Sequence, residues 1–235
     1  MSTDVTRTWS WSELFERARS VETTEAAVRE TLARHRERGP DRLAADAATD
    51  ADGDSDADGD SDADGDGDDG ERGDDPPESA APTRVVADAD VLAADLLLGG
   101  PSRETVDAAR AHSWLDLAAS DPLLSDARAT IDAVAGDADP DLADDWSARV
   151  ASARVAVDHP AGDHPGLASA YRGGAAHLLT LDEQLTTPRA GLSVQPHAAL
   201  SVRRPEAFAT VFDAAALYAA AVGGDYPGAD RDPRD

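Results

Sequence analysis

The sequence predicts a three-layer α/β/α domain around a central parallel sheet, preceded by a short helical N-terminal segment and a disordered acidic linker. Three observations lead there. Short apolar runs that end in aspartate, RVVADAD (84–90) and AHLLTLD (176–182), read as buried strands. Stretches with apolar residues at helical spacing lie between them, and strands alternating with helices imply parallel pairing through crossovers. Two of those helices carry the same start signal, a cap residue with Pro close behind it, in SDP (120–122) and DHP (163–165).

Taken in order, residues 1–43 form the helical N-terminal segment. Ser10 and Glu13 make a capping box, and Trp11, Leu14, Phe15, Ala18 and Val21 follow at helical spacing. TTEAAVRETLARHRERG (23–39) continues the pattern with Ala27, Val28 and Leu32, and is expected to stop at Gly39-Pro40. Two short helices bury little by themselves. They are expected to dock on the main domain, the alternative being an arm that binds a partner protein. Residues 44–82 are low in complexity, with tandem DSDADG units. Few apolar side chains and dense negative charge cannot offset the entropy of ordering, which predicts a disordered linker. Within it, DSDADGDGDDGE (60–71) matches the calcium-loop pattern letter for letter. Its eighth position is Gly67 rather than an aliphatic residue, and no helical pattern flanks it, so composition explains the match.

The main domain is expected over 83–224. After the first strand, VLAADLLLG (91–99) and RETVDAARAH (103–112) read as helical, and SWLDLAAS (113–120) as a second strand. A helix starts at Ser120 with Pro122 in its first turn and continues through SDARATIDAVAG (125–136); LADDWSARVASARV (142–155) is another. The next, capped by Asp163, ends at Gly173-Gly174 and feeds the strand at 176–182; GLSVQ (191–195) reads as a fourth strand. EAFATVFDAAALYAAAV (206–222) is one closing helix, and 225–235 is a frayed, disordered tail.

Composition narrows the setting. The chain carries a formal charge of −27, from 48 Asp and Glu against 21 basic residues, all of them Arg. Strong acidity without lysine matches a halophilic cytoplasmic protein, haloarchaeal in type. At 1 M salt the Debye length is about 3 Å, so such self-repulsion is largely screened. The charge therefore describes the solvent more than a partner. Absence of cysteine excludes disulfides and thiolate zinc sites. No apolar run approaches the roughly 18 residues of a membrane span, and no signal architecture opens the chain, so no membrane partner is expected.

Ligands of an open parallel sheet gather at the carboxyl ends of its strands. Asp88 and Asp90 follow the first strand there, and Asp182 follows AHLLTL. Asp163 caps the helix before that strand, and Asp126 lies one turn into the helix after the second. Converging carboxylates repel one another, and a hard divalent cation, Mg²⁺ or Mn²⁺, relieves that repulsion. Asp88 is the strongest candidate, because a strand-terminal carboxylate beside VVA is costly unless it is used. Simpler roles exist for the rest: helix capping for Asp163, a strand-end turn for Asp182, an exposed helix position for Asp126. His159 and His164 recur in DHPAGDHPG without an evident third ligand, so turn and cap roles suit them.

These segments resemble the PIN-domain family. VVADADVLAADLLLGG (85–100) looks like its opening motif, SDPLLSDARATI (120–131) its second, and DHPGLASAYRGGAAHLLTLDEQL (163–185) its most recognisable segment, while RRPEAFATVF (203–212) is similar to its closing. The resemblance implies a PIN-like, Rossmann-like fold and a Mg²⁺- or Mn²⁺-dependent nuclease acting on RNA. It implies Asp88, Asp126, Asp163 and Asp182 as metal-binding and catalytic carboxylates, with Thr180 helping to place the metal or its water, and it suggests a homodimer. Two positions depart from the pattern. Asp126 stands where Glu is usual, and Asp90 where Asn or Ser is more common, adding a charge that could recruit a second cation. Two other classes stay open. DADVL is close to the nucleophile loop of haloacid-dehalogenase-like phosphatases, although Leu92 replaces the expected Thr or Val and lysine is absent. A PIN-like module without catalysis, acting through its N-terminal helices, is the other.

Overall fold

The structure is a computed structural model that describes residues 8–49, 80–159, 164–187, 189 and 199–235. Its centre is a five-stranded sheet of β1 (Ala81–Ala87), β2 (Asp116–Ala119), β3 (Val155–Ala156), β4 (Ala175–Leu179) and β5 (Ser201–Arg203). All pairings are parallel and the strand order is β3-β2-β1-β4-β5. Val85 and Val86 point to opposite faces of β1, and both are buried, so both faces of the sheet are covered. This is the α/β architecture with a central parallel sheet that the alternating pattern predicts. The order reverses direction between β1 and β4, which makes the carboxyl ends of those two strands the switch point.

The helices are α1 (Trp11–Ala18), α2 (Glu25–Thr49), α3 (Ala89–Leu97), α4 (Gly100–Arg110), α5 (Asp121–Ala135), α6 (Leu142–Ala153), α7 (Pro165–Arg172), α8 (Pro205–Val211) and α9 (Ala214–Ala221). The Ser10–Glu13 capping box forms, and Ser120 accepts from the Leu123 N–H to cap α5. Several local differences from expectation have a local cause. His164, rather than Asp163, is the N-cap of α7, its ring nitrogen facing the Leu167 N–H. The single closing helix divides into α8 and α9 because Asp213 accepts from the Ala216 N–H and starts a new helix. Arg154 turns extended at the end of α6, so Val155 and Ala156 join the sheet against Ala118 and Ala119. Helix α2 runs through Gly39-Pro40 to Thr49, past the expected stop. The expected strand 191–195 and the calcium-loop match at 60–71 lie outside the described residues; the described strand beside β4 is β5.

The N-terminal helices and the C-terminal tail are fastened to the domain. Trp11, Leu14, Phe15 and Ala18 of α1, and Val28 and Leu32 of α2, belong to the same buried cluster as β1 and α3. Where composition suggests a frayed tail, residues 225–235 make specific contacts. Asp230 and Arg231 donate their N–H groups to the Ala111 carbonyl, and Ser12 donates to the Arg234 carbonyl. Beneath them lies Asp95, fully buried, with Arg110 Nη2 at 2.5 Å. Arg110 also pairs with Asp107 and stacks on Trp11, while Arg234 pairs with Asp107 from the tail. Single carboxylates and backbone groups carry these bonds, so they leave no periodic trace in the sequence.

Arg110→Ala leaves buried Asp95 facing Arg103 at 3.8 Å without its short ion pair, and is expected to cost about 3–5 kcal/mol. Arg128→Ala breaks the exposed pair with Asp144 and is expected to cost under about 1 kcal/mol. Denaturant midpoints of the two variants in one salt check the contrast; equal losses would contradict the placement of Asp95.

Candidate functional site

Strand register builds the site. Ala87 pairs with Leu179, and the Asp88 N–H donates to the Leu179 carbonyl, so Asp88 and Thr180 are the next residues beyond two adjacent strands. Both are fully buried. Asp88 also caps α3, with Oδ1 accepting from the Ala89 N–H at 2.8 Å. Two residues on, Asp90 returns to the same point on the first turn of that helix. Its Oδ1 accepts from the Val91 N–H and its Oδ2 from the Leu181 N–H. The Thr180 hydroxyl lies 3.2 Å from Asp88 Oδ2 and 3.3 Å from Asp90 Oδ2, and accepts from the Asp182 N–H.

One hydroxyl proton cannot serve two carboxylates at once. Burial, and then the charge of Asp88, push the Asp90 carboxyl up to about 8. Asp90 is therefore protonated at neutral pH and can donate to Thr180, whose own proton goes to Asp88. The chain Asp90–Thr180–Asp88 then has every donor facing an acceptor, with a single negative charge.

That charge meets Arg36, which arrives from α2. Its Nη2 donates to Asp88 Oδ1 at 3.1 Å, its Nε donates to Asp126 Oδ2 at 2.7 Å, and its Nη1 lies 3.0 Å from His164 Nε2. His35, one residue earlier, lies 3.5 Å from Asp126 Oδ1. Gly166, on the first turn of α7, permits the close packing: a Cβ there would fall 2.7 Å from Asp88 Oδ1. Helix α2 is clamped at its other end too, by Arg29 donating to the Leu181 carbonyl and Glu183 and by Arg204 donating to Glu25. Between α2 and the strand ends lies a cavity of about 620 Å³, lined by Arg29, Arg36, Asp90, His164, Asp182 and Glu183 among others.

Asp88, Asp90 and Thr180 thus converge as their positions at the strand ends imply. Asp126 joins them only through the guanidinium of Arg36. Asp182 lines the cavity, but its Oδ1 accepts from the Gln184 N–H in a strand-end turn. Asp163 lies outside the described residues. His159 sits 2.9 Å from the capping Ser120 hydroxyl. Among the described residues, no three of His, Asp and Glu are grouped to hold one metal ion in this conformation. Arg36 and His35 are not among the residues that the strand-end pattern points to, although a signal for them is present: Val28, Thr31, Leu32, His35 and Arg36 share one helical face.

A parallel α/β domain with a buried acidic pair at its switch point is the class these features define. A family model described as a family of unknown function (DUF7384) matches residues 79–234, the sheet domain with its tail, and the chain belongs to that family. No curated protein and no solved structure matches it. No helix among the described residues is long and apolar enough to cross a membrane.

The raised value of Asp90 fixes a pH dependence. The unfolded chain releases this proton near pH 3.9 and the folded one near 8, so the stability it contributes is present below about 4 and lost as pH rises through about 8. Asp90→Asn keeps the shape without the proton. Chemical unfolding of both forms in metal-free buffer is expected to show the variant gaining on the wild type steadily between those limits; parallel profiles would contradict the assignment.

Proposed function

We propose that this chain is a divalent-metal-dependent nuclease of the PIN-like kind, hydrolysing RNA phosphodiesters at the carboxylates around Asp88. The carrying observation is a fully buried Asp88 with Asp90 beside it at the carboxyl end of β1, where an α/β sheet of this order takes its ligands. The donor chemistry suits a hard cation: oxygens of Asp88 and Asp90, the Thr180 hydroxyl, and Asp182 at the cavity wall. Asp90 also answers to such a charge, because its proton is retained only while the site lacks enough positive charge to expel it. When bound, Mg²⁺ or Mn²⁺ supplies a more acidic water and neutralises charge on the scissile phosphate.

The protein's own part is positioning. The Ala89 N–H and the Thr180 hydroxyl fix the Asp88 carboxylate, and the Leu181 N–H fixes Asp90. Asp126 and Asp163 are the further carboxylates that the family resemblance assigns, with Asp126 reached through Arg36. A second reading, a PIN-like module without catalysis, is favoured by one observation: Arg36 already pairs with both Asp88 and Asp126.

A labelled RNA pool with Mg²⁺ or Mn²⁺ in molar KCl tests the proposal. Metal-dependent cleavage is expected, falling about 100-fold or more in Asp88→Asn. Cleavage that survives this substitution would refute the site. RNA binding without turnover would point to the module, and phosphate release from a small ester without RNA cleavage would point to a phosphatase.

A further inference from the structure

We propose that α2 is an intramolecular cap on the carboxylate site, with Arg36 holding the carboxylates that a divalent cation would need, so that cation binding and α2 docking exclude each other. The inference rests on the metal-site reading above and adds its regulation.

The geometry carries it. A guanidinium that donates to Asp88 at 3.1 Å and to Asp126 at 2.7 Å occupies the approach to both, and only 24 % of its side chain is exposed. A cation reaching Asp88 from the cavity must displace it. The rest of α2 is fitted for release. Its fully described apolar anchor is small, with Val28 and Leu32 buried, while its remaining ties are polar: Glu25 to Arg204, Arg29 to Glu183 and Leu181, His35 to Asp126. The exposed ties among these, Arg29 to Glu183 and Arg204 to Glu25, exchange readily for water and salt ions.

Helix α1 is fitted for the opposite role. Trp11, Leu14 and Phe15 are buried, and Arg17 makes a two-pronged contact with Asp139. The break between α1 and α2, residues 19–24, lets one helix stay while the other moves. The family match begins at residue 79, which sets the capping segment apart from the domain that bears the carboxylates.

The test uses the full chain in molar KCl with Mn²⁺ alone, read by calorimetry and by amide hydrogen exchange. If the open form is a minor population, Arg36→Gln is expected to tighten Mn²⁺ binding about tenfold or more. Arg29→Gln, which loosens α2 without removing a bond to Asp88 or Asp126, is expected to tighten it less, in the same direction. In the wild type, Mn²⁺ is expected to speed exchange across residues 25–39 and leave 11–18 protected. Equal or weaker Mn²⁺ binding by both variants, or unchanged exchange in α2 on saturation, would overturn the cap while leaving the metal site standing. Mn²⁺ binding that survives Asp88→Asn, or none by any form, would overturn the metal site and the cap with it.

Discussion

A carboxylate with no exposed surface has to be compensated or the fold will not keep it. Asp88 is such a group, and compensation reaches it from three elements: the first turn of α3, the end of β4 through Thr180, and α2 through Arg36. Two of these donors are neutral. Arg36 brings the permanent charge, with His164 Nε2 3.8 Å from Asp88 Oδ2, and an isolated buried carboxylate without such a partner costs several kcal/mol even after relaxation. The ion pair therefore explains why a polar, arginine-rich helix lies across the sheet's carboxyl edge.

Other features follow from the same electrostatic constraint. Asp90 cannot also be charged beside Asp88 at so low an exposure, so it keeps a proton, and Thr180 relays that proton's hydrogen bond between them. Asp126, at the start of α5, meets the guanidinium from the other side, which ties α2 to the helix after β2. A parallel sheet alone would leave these groups at an open edge. Together with α2 they form an ion-paired cluster in which Asp88 and Asp126 share one guanidinium. Asp95 solves a similar problem in the opposite way. Arg110 and Arg103 both lie on the neighbouring α4, and Arg234 reaches Asp107 from the tail, so that cluster reads as a permanent fastening.

Much of this was legible in the sequence, for definite reasons. RVVADAD and AHLLTLD announce buried parallel strands because only a two-sided core tolerates such runs, and their terminal polar residues must then sit at the carboxyl edge. That places Asp88, Asp90, Thr180 and Asp182 without any structure. Capping at Ser10 and Ser120 was readable because it is local. What escaped depends on tertiary register. The α2 face of Val28, Leu32, His35 and Arg36 could have been read as one stripe, but its polar members look like solvated surface until a partner is known. The tail docks through isolated bonds at Tyr226, Asp230 and Arg234, which no periodicity foretells. His164 took the cap expected of Asp163 because the choice between adjacent residues turns on backbone geometry finer than sequence spacing.

The most direct measurement is a crystal structure of the full chain grown with Mn²⁺, with anomalous scattering used to locate the ion. An anomalous peak coordinated by Asp88, with the Arg36 guanidinium displaced from it, is the predicted result. Arg36 still bonded to Asp88 and Asp126 at saturating Mn²⁺, with no peak at that carboxylate, would contradict it.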